Sequence, residues 1–66
     1  MNYGELNKAI DDSGLSRKAI AKRLGMAQKT FTDRTHGASQ FKVSEALDLA
    51  EILKLTKRQR DYIFFS

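Results

Sequence analysis

Seven basic side chains crowd the middle of this 66-residue sequence: Arg17, Lys18, Lys22, Arg23, Lys29, Arg34 and Lys42. Asp33 is the one acidic residue among positions 16–42, so that block carries a net charge of +6. Residues 1–15, with Lys8 against Glu5, Asp11 and Asp12, carry −2, and residues 43–66 balance four bases against four acids. The chain total of +4 and a sequence pI near 9.7 therefore come from one segment. Positive charge gathered on a small domain fits a polyanionic partner, but it also fits a surface kept soluble by charge. Geometry has to choose between them.

Catalytic chemistry finds little to work with. His36 is the one histidine, no cysteine is present, and two methionines with scattered carboxylates make no nucleophile or metal set. A catalytic histidine needs an oriented partner, a disulfide or thiolate needs cysteine, and a structural zinc needs more ligands than one imidazole. His36 reads as a turn-surface side chain. A chain this short buries only about 60 % of its unfolded surface, which leaves no volume for a lid, a cofactor domain or a small-molecule pocket. The expectation is a single-domain non-enzyme that uses no cofactor and no metal. No apolar run approaches the ~20 residues that span a bilayer, and the N-terminus lacks a signal-peptide profile, which predicts a cytoplasmic protein.

The elements that must position the basic block read as helices. There is no proline, and apolar residues recur with the 3.6-residue period. Asn2-Tyr3-Gly4-Glu5 fits a capping box that opens a first helix, with Leu6, Ala9 and Ile10 on its inner face and Ser13-Gly14 as its stop. Ser16 caps a second helix running to about Leu24, with Ala19, Ile20 and Leu24 inward, and Gly25 breaks it. A third helix spans about 28–35, carries Phe31 as its one large apolar residue, and ends at Gly37 before the loop Ala38-Ser39-Gln40. Phe41 and Val43 lead into a fourth helix whose Ala46, Leu47, Leu49, Ala50, Ile52 and Leu53 make a wide stripe, as a central helix would have. Thr56-Lys57-Arg58-Gln59 is a second capping-box sequence, opening a fifth helix through Tyr62, Ile63 and Phe64. No strand pattern or internal repeat competes, so the fold class is all-α, a five-helix bundle over 1–66.

Residues 16–31 add the geometry. Ala21 is small where two helices would touch, and Gly25, four residues on, tolerates positive φ in a turn. Ile20, Leu24, Met26 and Phe31 are spaced to lock two consecutive helices at a steep crossing angle. Ordinary amphipathic helices around a glycine share part of this pattern. Together with the +6 block, however, it predicts a helix-turn-helix over about 16–36 and double-stranded DNA as the partner.

On Leu15-Ser16, Ile20-Ala21, Leu24-Gly25, Thr30-Phe31-Thr32 with Arg34 and Gly37, Phe41 with Ser44-Glu45, Ile52-Leu53-Lys54-Leu55-Thr56 and Ile63-Phe64-Phe65, the sequence resembles a known family. It is similar to the lambda-repressor/Cro-like helix-turn-helix regulators, specifically the short Cro-like regulators of phages of Gram-positive hosts. It departs from them at Ala27, which cannot cap, at His36, where Asn is usual, and at Thr35, where a larger apolar residue is common. The resemblance implies a repressor whose third helix lies in the major groove and reads base edges through Gln28, Lys29, Thr32 and Asp33. Their chemistry agrees: Gln pairs with adenine, Lys donates to guanine, Thr meets a thymine methyl, and Asp accepts from cytosine or orients Lys29.

Arg17 and Lys18 head the second helix, where their charge opposes the helix dipole unless an anion compensates, so both are expected on phosphates. Gln40 and Lys42 match the loop and helix start that hold the next phosphates in relatives. Lys22, Arg23 and Arg34 are more ambiguous, and Arg23 can lie over the core with only its head in water. At the C-terminal end, Tyr62 and Ile63 are expected in the monomer core. Phe64 and Phe65 then form an exposed patch of the kind that marks an interface, and the resemblance implies a homodimer on a pseudo-palindromic operator. The alternative is an antirepressor or adaptor of the same fold that binds another regulator protein instead of DNA.

Overall fold

Three of the five helices, the first, second and fifth, start at a side chain that accepts from their first amides. The computed structural model describes residues 1–65 and contains α1 (Tyr3–Asp12), α2 (Arg17–Leu24), α3 (Gln28–Thr35), α4 (Val43–Ile52) and α5 (Lys57–Phe64), with no strand among the described residues. Ser16 Oγ accepts from the Ala19 amide at 3.0 Å. Thr56 Oγ1 accepts from Gln59 N–H at 3.1 Å while Gln59 Oε1 accepts from Thr56 N–H at 2.8 Å, so both halves of that capping box form. At α1 only one half forms, the Glu5 amide donating to Asn2 Oδ1 at 3.1 Å. The Asn2 N–H turns instead to the Ile63 carbonyl at 2.7 Å, an acceptor left over in the last turn of α5, so Glu5 is not needed there.

The core draws on every helix: Leu6 and Ile10, Ile20 and Ala21, Phe31, then Ala46, Leu49 and Ala50, and Ile63 and Phe64. Leu15, Leu24, Met26, Phe41, Ile52, Leu53 and Leu55 pack around it partly buried. α2 packs against both α3 and α4, while α1 closes on α3 and α5. The short link from α2 to α3 depends on Gly25, whose φ of 73° lets its own amide and that of Met26 double back on the carbonyls of Ala21 and Lys22.

One sequence expectation holds in part and another needs correction. Two helices, α2 and α5, pack on the wide stripe of α4, more than one partner as its width predicts, but they cover it along Ala46, Leu49 and Ala50 and leave Val43 65 % and Leu47 41 % exposed. At the end of α5, Phe64 and Tyr62 exchange roles. Phe64 is 6 % exposed, whereas Tyr62 and Phe65 are 54 % and 52 % exposed. The reason is the Phe41 ring. It stands edge-on to Phe31 at 6.4 Å and to Phe64 at 6.1 Å, so the α5 face that turns inward is that of Ile63 and Phe64. Phe64 is therefore a core residue and not a surface one.

Gly37, just past α3, has φ 83°, and a Cβ there would sit 3.2 Å from the Tyr3 ring. Gly25 has a similar φ but open space around it. Both Gly→Ala changes incur a left-handed backbone cost of about 1–2 kcal/mol. Gly37→Ala must also displace Tyr3, so urea unfolding followed by circular dichroism is expected to rank it below Gly25→Ala.

Candidate nucleic-acid interface

α3 has the sequence Gln-Lys-Thr-Phe-Thr-Asp-Arg-Thr, and only Phe31 and Thr35 are buried. These two lie four residues apart on one side. Helical periodicity then sets Lys29 and Asp33 on the opposite side, with Thr32 and then Gln28 following round one flank towards Thr35. Gln28 and Lys29 are exposed, and Thr32 and Asp33 are partly so. Lys29 Nζ meets Asp33 Oδ2 at 3.2 Å, with side chains 87 % and 41 % exposed. Four residues able to meet base edges thus form one continuous outer face. Ala27 supplies no side-chain acceptor, so the first turn of α3 is uncapped.

Polar contacts fix how α3 is rotated. The Arg34 guanidinium pairs with Glu45 Oε2 at 3.0 Å, and both side chains are more than four-fifths buried, at 17 % and 19 % exposure. The same guanidinium donates to the Gln40 carbonyl at 3.2 Å and lies 3.6 Å from Met26 Sδ. Glu45 uses its other oxygen to accept from the Lys42 amide at 2.9 Å. One side chain therefore ties α3 to the loop carrying Gln40 and, through Glu45, to the Lys42 start of α4. The Gln40 and Lys42 side chains themselves are exposed.

On the other flank, Asn7 Nδ2 donates to the carbonyls of Tyr3 at 2.9 Å and of Thr35 at 3.0 Å, while its Oδ1 accepts from Arg17 at 2.9 Å. Arg17 also meets Asp11 Oδ1 at 3.1 Å, with its side chain 31 % exposed. The mismatch that pointed Arg17 towards a phosphate is thus relieved inside the molecule, by the Asp11 carboxylate of α1. Lys18, next along α2, remains exposed. Arg23 borders a shallow depression with Asp48, Glu51 and Ile52 of α4. His36 is an exposed C-cap.

Sequence reasoning singled out the outer face of α3 but not Asn7, Glu45 or the buried role of Arg34. Their partners lie 11 and 28 residues away, beyond any local spacing rule. A clue existed in Thr35: a polar residue on the inner face of a helix needs its own acceptor, and its hydroxyl donates to the Thr32 carbonyl at 2.9 Å. Among the described residues no buried side-chain nitrogen or oxygen lacks a partner, no cluster could hold a metal ion, and no helix is long and apolar enough to cross a membrane.

The two ion pairs on α3 are expected to behave differently. A double-mutant cycle through Arg34→Met and Glu45→Gln, read by urea unfolding, is expected to give a coupling of about 1.5–3 kcal/mol, as for a largely desolvated charged hydrogen bond. The exposed Lys29–Asp33 pair is expected to give no more than about 0.5 kcal/mol. No family model matches the chain, and searches of curated proteins and of solved structures return no match.

Proposed function

We propose that this chain is a sequence-specific double-stranded DNA-binding repressor of the Cro type. In this reading α2, the Gly25 turn and α3 form a helix-turn-helix, with α3 in the major groove. The observation that carries the proposal is the outer face of α3. A helix that buries only Phe31 and Thr35 presents Gln28, Lys29, Thr32 and Asp33 together, inside the segment of net charge +6. Each of these side chains has a base-edge partner in the major groove. Lys18, Gln40 and Lys42 take phosphates. Arg17 acts chiefly by holding α1 against α2, with a lesser share in phosphate contact.

Size supports the two-fold part of the reading. The domain is 27 Å along its longest axis, shorter than the roughly 34–36 Å between successive major-groove faces on one side of DNA. One copy therefore reaches one half-site, and a palindromic operator takes two. We place the dimer surface on Phe65 with the outward Val43 and Leu47, and not on Phe64. Repression then works by occlusion of the operator.

Binding to duplex DNA, followed by fluorescence anisotropy, is expected to fall linearly in log affinity against log salt with a slope of several units. Lys29→Ala is expected to lose about 1–3 kcal/mol on the preferred site and to relax one base pair, whereas Lys18→Ala weakens all sequences alike. No binding at low salt, or a flat salt response, would favour the protein-binding adaptor instead.

A second expectation separates the two C-terminal rings. Phe65→Ser is expected to leave a folded helical protein that sediments as a monomer and binds the operator more weakly. Phe64→Ser removes a core ring and is expected to lose about 3–5 kcal/mol of stability. If Phe65→Ser sediments and binds like the parent, the dimer surface lies elsewhere.

A further inference from the structure

We infer that Lys29 and Asp33 read a single base pair as one unit, and that this pair is G·C with guanine facing Lys29. The inference rests on the proposal that α3 enters the major groove, and it adds which base pair is chosen and why.

The pair sits on the outermost line of α3, opposite Phe31 and Thr35, where it can contribute little to folding. Asp33 is also the one acidic residue among positions 16–42. A carboxylate facing a polyanion from the centre of a basic block is unfavourable, and Lys29, which meets Asp33 through Oδ2, leaves acceptor capacity that a donor on the base side must fill. In the major groove the base donors are cytosine N4–H and adenine N6–H, so Asp33 restricts what can lie beneath it.

Spacing narrows the choice. The ammonium donor and the carboxylate acceptor are 3.2 Å apart. Across one G·C pair, guanine O6 accepts and cytosine N4 donates, and the two are joined by their own hydrogen bond of about 2.9 Å. A donor and an acceptor on the protein therefore lie over an acceptor and a donor on the base pair at nearly the same separation. Lys29 keeps its bond to Asp33 and gives its other two protons to O6 and N7 of guanine. Asp33 accepts from Lys29 and from N4–H of cytosine. Every group in the resulting ring is satisfied.

The other three base pairs fit worse, each for a stated reason. T·A in the same orientation also offers an acceptor beside a donor, O4 and N6. It sets the thymine methyl beside the ammonium, however, and the adenine N7 lone pair beside the carboxylate. C·G and A·T, being reversed, turn an acceptor towards Asp33 and a donor towards Lys29. Specificity here comes as much from what Asp33 repels as from what Lys29 attracts.

The test is selection from a pool of duplex oligonucleotides with a randomised central segment, using the parent protein, Asp33→Asn and Lys29→Met. Melting curves check that both exposed substitutions leave the fold intact. The parent is expected to select sites in which one position of each half-site is G·C in a fixed orientation, preferred about tenfold or more over T·A. Asp33→Asn, whose amide can donate to adenine N7, is expected to admit T·A at that position and leave the others unchanged. Replacing that guanine by 7-deazaguanine is expected to weaken the parent but not Lys29→Met. A selected site without such a G·C position, or one read equally strictly by Asp33→Asn, overturns this inference and leaves DNA binding standing. Failure of the parent to enrich any sequence overturns both.

Discussion

Phe31 is the one large apolar side chain that α3 sends into the core. The remaining residues of that helix are polar, and Thr35 is the only other one buried. A fully buried phenylalanine contributes about 1.5–3 kcal/mol, and an edge-on aromatic neighbour adds about 0.5–1.5 kcal/mol. Phe41 is that neighbour, and it passes the contact on to Phe64 at the end of α5. A row of three rings thus runs from the helix whose outer face carries Gln28 and Lys29 to the one that closes the domain. Because the apolar seat of α3 is a single ring, its exterior need not serve the core and can be chosen for other chemistry.

A single hydrophobic point would let a helix swivel, and the polar contacts prevent this. Asn7 grips the C-terminal end of α3 through the Thr35 carbonyl, and Arg34 grips the opposite flank through Glu45 and Gln40. Both devices draw on charge that the amino-acid sequence shows only as a surplus. Arg17 and Arg34, two of the seven bases in the central block, meet carboxylates of α1 and α4. Part of the positive segment is therefore neutralised from within, and its outward charge is smaller than composition alone implies.

The helices were legible in the sequence because their punctuation is local. Ser16 and Thr56 cap through bonds three residues long, and Gly25 and Gly37 stand where the backbone takes positive φ. The outer face of α3 was legible for the same reason, since four neighbouring positions and one buried ring define it. The end of α5 was not. In Tyr62-Ile63-Phe64-Phe65 every residue can be buried, and the choice falls to Phe41, more than twenty residues away. The Val43 and Leu47 side of α4 was not legible either: an apolar stripe shows what a helix can bury, not which part of it the neighbours cover. The tie from Arg17 to Asp11 and Asn7 was not legible either, because it crosses from α2 to α1 and no local spacing marks it.

The bond from the Asn2 amide to the Ile63 carbonyl joins the first turn of the fold to the last. On a ribosome adding about 5–20 residues per second, the pieces of this domain become available in sequence order. Contacts of α1 with α3 can form once Thr35 is free, and those of α2 with α4 somewhat later. Closure of α1 against α5 must wait for Ile63. The nascent chain can therefore assemble the seat of α3 before it can seal the molecule, and until Phe64 arrives the Phe41 ring has one of its two aromatic neighbours, Phe31.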